Sequence, residues 1–260
     1  KASDGTLSHT TVAITVSDGV TVTVPGAEDD GTTVLEAGLP AGTGELSDNI
    51  PNNDNSETTS GTITFTASDT PVTISVGGQP VVIAGVDQTD LTVDGAFGEL
   101  TLDLTNVATG SIGYSYTLDA NIDHDDAVAD SDTFAVVVTD EDGDSANGSL
   151  VIAITDDGPE AVADSQTINA SATEATGNVL TNDVAGADDE STTVVGVAVG
   201  NTGADLDNAA TVGDGTITGT GITGTNGTLY MASTGAYTFV PNADAAASTE
   251  IYTYTIKDSD

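Results

Sequence analysis

The chain lacks cysteine, tryptophan and arginine, and its only basic residues are Lys1 and Lys257. Without cysteine it can build neither a disulfide nor a thiolate metal site. Two lysines cannot supply the cationic footprint from which nucleic-acid affinity arises, so nucleic acid is excluded as a partner. No apolar run approaches the ~18 residues of a membrane-spanning helix, and membrane insertion is not expected. Aromatic residues make up 4% of the chain. A core built mainly from Val, Ala, Ile and Leu is modest, which leaves room for another source of stability.

What the chain has in excess is carboxylate. Of its 260 residues 42 are Asp or Glu, and the formal net charge is −40. Charge of that density repels itself within a Debye length of ~8 Å at physiological salt. Dissolved cations are the available counter-ions, and hard oxygen ligands suit calcium best. High acidity with few aromatics can also signal disorder.

The hydrophobic pattern argues for order. In "TFAVVVT" Phe134, Val136 and Val138 share one face, and in "SLVIAIT" Leu150, Ile152 and Ile154 do the same. In "IYTYTIK" Tyr252, Tyr254 and Ile256 oppose Thr253 and Thr255. This is the period of a β-strand. The stretches "TVAITV", "VTVTV", "TITFTAS", "VTISV", "LTLDL", "IGYSYTL", "TTVVGVAV", "GTLYMA" and "AYTFV" read the same way, and no 3.6-residue stripe competes with them. Many short strands separated by Gly, Asn and Asp turns indicate an all-β protein made of sandwiches.

Parts of the sequence resemble one another. "SDGTLSHTTVAITVSDG", starting at Ser3, parallels "EDGDSANGSLVIAITDDG", starting at Glu141, and the closing "YTYTIKDSD" parallels "AVVVTDED" at Ala135. Asp4, Asp142 and Asp260 thereby become equivalent, and "KASD" at the start matches "KDSD" at the end. Such self-similarity marks a tandem array. Three segments are expected: 1–19 as the terminal strand of a preceding repeat, 20–157 as one sandwich, and 158–260 as a second lacking its last strand. Gly158 and Pro159 close the first unit, because proline cannot donate to a ladder and glycine permits the turn. On this reading residues 1–16 would project, or complete the second-type unit of a neighbouring repeat by strand donation.

"TVLEAGLPAGTGE" from Thr33, followed by "SGTITFTASD", resembles the opening of a type I secretion repeat domain. "GNVLTNDVAGADDESTTVVGV", "GTLYMASTGAYTFVPNA" and "YTYTIKDSD" together are similar to VCBS, or bacterial cadherin-like, repeats. The resemblance covers nearly the whole chain and points to the modules of giant bacterial adhesins exported by type I secretion. It implies immunoglobulin-like or cadherin-like β-sandwiches in an elongated array, binding calcium and extending an adhesin from the bacterial cell surface. The glycine-rich "GDGTITGTGITGTNG" lacks the regular Asp of a calcium-bound β-roll, so that structure is not expected.

Several constellations are candidate cation ligands. "DEDGD" sets Asp140, Asp142 and Asp144 at alternate positions, where a tight turn can aim them at one ion or merely form a polar hairpin. Asp258 and Asp260 repeat that pattern near the end of the chain. Asp119, Asn121 and Asp123 match the opening of an EF-hand loop, but His124 replaces its turn glycine and Asp130 its bidentate Glu. His124 itself reads more simply as a solvated loop histidine than as a transition-metal ligand. By resemblance to cadherin-like repeats, Asp156, Asp157 and Asp164 at the joint, and Asp183, Asp188 and Asp189 after "VLTND", would share interdomain calcium.

No catalytic signature emerges. Only His9 and His124 titrate near neutrality, and neither lies beside a nucleophile motif. The expectation is a non-enzymatic extender segment of a secreted adhesin or extracellular fibre, stiffened by calcium at joints and loops. The alternative is a calcium-dependent module binding carbohydrate or another adhesion ligand.

Overall fold

The computed structural model describes residues 10–11, 18–27, 29–46, 54–88, 91–122, 124, 130–169, 171–187, 192–204, 206, 212–243 and 247–258. The expected strand at residues 11–16 lies outside them apart from Thr11. The protein is all-β: its described elements are strands, short 3₁₀ turns and one helical turn at Thr43–Leu46.

Four sheets organise the described residues. The first orders β1 (Val20–Thr23), β3 (Thr58–Ala67), β9 (Ser111–Leu118), β8 (Gly98–Asp103) and β7 (Thr92–Asp94), all antiparallel. The second orders β2 (Thr33–Leu35), β11 (Ser145–Thr155), β10 (Ser131–Thr139), β4 (Thr73–Val76), β5 (Gln79–Ile83) and β6 (Val86–Asp87). Within it β2 runs parallel to β11. The third consists of β12 (Ala175–Asn178), β16 (Ala236–Pro241), β15 (Gly227–Met231) and β14 (Gly221–Thr223). The fourth pairs β13 (Thr193–Val199) with β17 (Tyr252–Lys257).

The first two sheets line one core. Ile63, Leu100, Ile112 and Tyr116 come from one, and Ile74, Phe134, Val136, Leu150 and Ile152 from the other. Tyr116 and Phe134 meet across them edge to face, with ring centroids 6.2 Å apart. Alternation does the sorting, since successive side chains point to opposite faces: Phe134, Val136 and Val138 are buried while Thr133 and Ala135 are exposed. A smaller core gathers Val179, Val194, Val197, Leu229 and Met231, with Tyr252, Tyr254 and Ile256 packed against it.

β17 departs from the expected two-faced pattern. Its Thr face is also half-buried, because Gly200, Thr202 and Leu206 lie against it. Thr253 Oγ1 accepts from Thr202 N and donates to Gly200 O, and Thr255 Oγ1 accepts from Leu206 N. A single neighbouring strand, β13, pairs with β17 among the described residues.

The passage between the two cores is held by backbone. Glu160 and Val184 exchange both N–H···O bonds, at 2.9 and 3.0 Å. Ala187, well beyond Pro159, is buried in the first core. Gly186 has φ +98°, and a Cβ there would stand 2.2 Å from Asp157 O. Only glycine tolerates both the left-handed backbone and the approach. Gly186→Ala is accordingly expected to lower stability by about 1–3 kcal/mol and to open the segment around Gly158 to limited proteolysis. An unchanged melt and cleavage pattern would show that this contact holds nothing.

Candidate functional site

Two acidic centres form where strand register brings turns together. β1 pairs with β3 in the register Val20↔Ala67, and continuing it sets Asp18 opposite Asp69. The β10–β11 hairpin closes at Thr139↔Ser145, leaving Asp140–Asp144 as its loop. Within that loop Asp140 N donates to Asp144 O at 3.0 Å and Gly143 N to Asp140 Oδ1 at 3.2 Å. Ligand atoms of Asp18, Asp69 and Asp140 lie within 4.8 Å of one another, as do those of Asp18, Asp142 and Asp144.

Electrostatics at this first centre favours a cation. Asp140 is 6% exposed, and its Oδ2 is buried with no hydrogen-bond partner. Burial, then the neighbouring Asp142, raises its pKa above the ordinary carboxylate value. Asp69 is raised mainly by Asp18, with Asp142 and Glu141 adding to the repulsion. Like charges directly across a strand pair destabilise it unless something neutralises them. Asp18 and Asp69 were not singled out in the sequence, although each follows a serine at the end of a β run, in "VSDG" and "ASDT".

The second centre includes Asp156, just before Gly158 and Pro159 in the chain. A 3₁₀ turn at Glu36–Gly38 follows β2 and buries Glu36 completely. Ile122 N donates to Glu36 Oε1 at 2.6 Å. His124 Nε2 lies 3.4 Å from Glu36 Oε2, and His124 Nδ1 lies 2.9 Å from Asp130 Oδ2. Glu36, His124 and Asp156 present ligand atoms within 4.8 Å of one another. His124 is not a solvated loop residue: its side chain is 13% exposed. Burial alone would lower its pKa, but Glu36, Asp156 and Asp130 together hold it above the ordinary value.

The EF-hand-like reading fares differently. Ile122 is buried whereas Asp119, Ala120 and Asn121 are exposed, so the first two ligands of that reading face outward. Asp123 lies outside the described residues. Glu36 carries the anionic role at this place, and its only sequence signal is a lone acid within "TVLEAGL".

Other acids serve the backbone. Asp157, 5% exposed, accepts from Thr43 N at 2.6 Å with Oδ2, while its Oδ1 accepts from the Thr43 hydroxyl. It locks the helical turn Thr43–Leu46 to the end of β11. Asp132 is 3% exposed and accepts from the N–H groups of Ala96, Phe97 and Gly98 and from the Tyr116 hydroxyl. Glu250 receives Thr225 N and Asn226 N. Asp183 receives Val162 N at 2.7 Å.

Beside the smaller core Asp164 and Asp183 converge on one phenol. Tyr254 Oη lies 3.2 Å from Asp164 Oδ2 and from Asp183 Oδ1, and burial raises both carboxyl pKa values. Asp258 Oδ2 stands 3.9 Å from where a Gly158 Cβ would be, which places it beside that glycine. Asp188, Asp189 and Asp260 lie outside the described residues.

Acidic clusters able to hold a metal ion are therefore present, assembled from residues distant in sequence. No protein-family model matches the chain, and no curated protein matches its sequence.

Proposed function

We propose that this chain is a structural extender segment of a secreted bacterial adhesin or extracellular fibre, built of immunoglobulin-like or cadherin-like sandwiches and rigidified by calcium. The observation that carries the reading is Asp140. A carboxylate 6% exposed, with one oxygen unsatisfied and acids on both sides, is costly unless a cation completes it. Two carboxylate triads that share Asp18, one with Asp69 and Asp140 and one with Asp142 and Asp144, suit hard ions that take six to eight oxygens at 2.3–2.6 Å. Such an ion ties the start of β1 to the β3–β4 and β10–β11 turns, fixing how the chain enters the unit. Among the described residues β17 has one neighbouring strand, so its other edge can accept a strand from a neighbouring repeat, which would continue the array.

Weak sites, with dissociation constants of ~10⁻⁴–10⁻³ M, are enough outside a cell. Small-angle scattering of the full chain tests the mechanical role. Calcium is expected to lengthen and narrow the distribution of maximum dimensions relative to chelator, and Asp140→Asn to diminish that response. Identical profiles in calcium and chelator would remove the extender mechanism.

A further inference from the structure

The second acidic centre differs in kind from the first, because an imidazole stands in it. We propose that Glu36, His124 and Asp156 form a site for a borderline first-row divalent ion of the zinc class, separate from any calcium site. Imidazole nitrogen suits zinc and its neighbours, whereas calcium takes oxygen.

Distances argue the case. Zinc with bonds of 2.0–2.1 Å in tetrahedral geometry sets its ligand atoms about 3.3 Å apart. His124 Nε2 and Glu36 Oε2 stand 3.4 Å apart, long for a charge-assisted hydrogen bond of about 2.7–2.9 Å and right for one edge of that tetrahedron. The opposite ring nitrogen behaves otherwise: Nδ1 lies 2.9 Å from Asp130 Oδ2. The contact is an ion-pair distance and not an aligned hydrogen bond. It puts a carboxylate behind the imidazole, where a small ring rotation would let it orient a metal-bound histidine.

The site is also built and not merely crowded. Glu36 is fully buried, and the Ile122 N–H on Oε1 fixes its carboxylate with Oε2 toward the imidazole. Asp156 brings the third ligand from just beyond β11, and water supplies the fourth position of an open three-ligand site. The ion would clamp three separate stretches, the turn after β2, the segment between β9 and β10, and the exit of β11 at the joint. Such a clamp would let the joint respond to a second metal independently of calcium.

Titration of the metal-stripped full chain with cobalt(II), in excess calcium, tests this. The expected result is one equivalent of cobalt with visible ligand-field bands, displaced by zinc. His124→Gln should abolish the bands, and Asp130→Asn should weaken binding about 10–100-fold. His9→Gln, replacing the chain's other histidine, should leave both unchanged. The calcium-dependent melt of each variant shows whether it still folds, and Glu36→Gln offers a second route if His124→Gln does not. Cobalt binding that survives both substitutions in folded protein, or no binding in excess calcium, would overturn the proposal.

Discussion

Removing calcium is expected to lower the thermal midpoint of this protein by tens of degrees if several sites fill, and by roughly 5–10 °C for one. A site occupied at 100 times its dissociation constant contributes about 2.7 kcal/mol, and each kcal/mol moves the midpoint of a unit this size by about 2–4 °C. The pH response should change sign with the ion. Asp69 is raised by Asp18, and Asp140 by its burial and by Asp142. A carboxyl whose folded pKa exceeds its unfolded value binds its proton more readily when folded, so its contribution is present at low pH and lost as pH rises through the folded pKa. In chelator, acidification from pH 7 into the carboxylate range, down to the ordinary value of 3.8, should raise the midpoint. In calcium the same acidification should lower it, because protons displace the ion. Differential scanning calorimetry at pH 7 and pH 5, with and without chelator, reads all four cases. Midpoints indifferent to calcium would remove the ion from the account, and parallel pH trends would show that repulsion at these turns is not what it relieves.

The second large effect concerns an acid whose oxygens accept from backbone N–H groups and a phenol. Asp132→Ala is expected to destabilise the first unit by about 3–5 kcal/mol, equally in calcium and chelator. Its carboxylate holds three consecutive N–H groups, Ala96, Phe97 and Gly98, at 2.6–3.2 Å, and the Tyr116 hydroxyl at 2.7 Å. Removing it strands the buried Gly98 N–H and Tyr116 hydroxyl, while Ala96 at the surface can turn to water. Burial and the hydrogen bond to Asp132 together push the Tyr116 phenol far above its ordinary pKa, which marks how dry the site is. Denaturant melts of Asp132→Ala and Asp132→Asn, each in both media, separate this role from ligation. A loss that appears only in calcium would make Asp132 a ligand-positioning residue instead.

Asp132 and Asp140 illustrate where the sequence stops being informative. Both are acids near the ends of β10, and composition treats them alike. Alternation in fact places Asp132 inward, on the face of Phe134, Val136 and Val138, so its burial was legible from period two. Its partners were not, because the 96–98 turn reaches it only through the packing of the two sheets. Asp140 was visible as part of an alternate-Asp turn. Asp18 and Asp69 became its neighbours only through the pairing of β1 with β3, which local sequence does not specify.

The sequence by itself determined the all-β class, most of the longer strands and the inward face of each, because side-chain alternation is a local consequence of the extended backbone. It also determined that no thiolate site can form, and its excess of carboxylate made cations the natural counter-ions. Short strands such as β5, β6, β7 and β14 lack enough residues to show a period, and only their partners define them. The tertiary structure decided which acids meet. It sent Asp157 and Asp132 to backbone donors, gathered Asp18, Asp69, Asp140, Asp142 and Asp144 at one end, and drew Glu36 from an apolar run to His124, 88 residues away by number. Charge is written residue by residue, but ligand geometry depends on long-range register and sheet packing, and those exist only once the chain has folded.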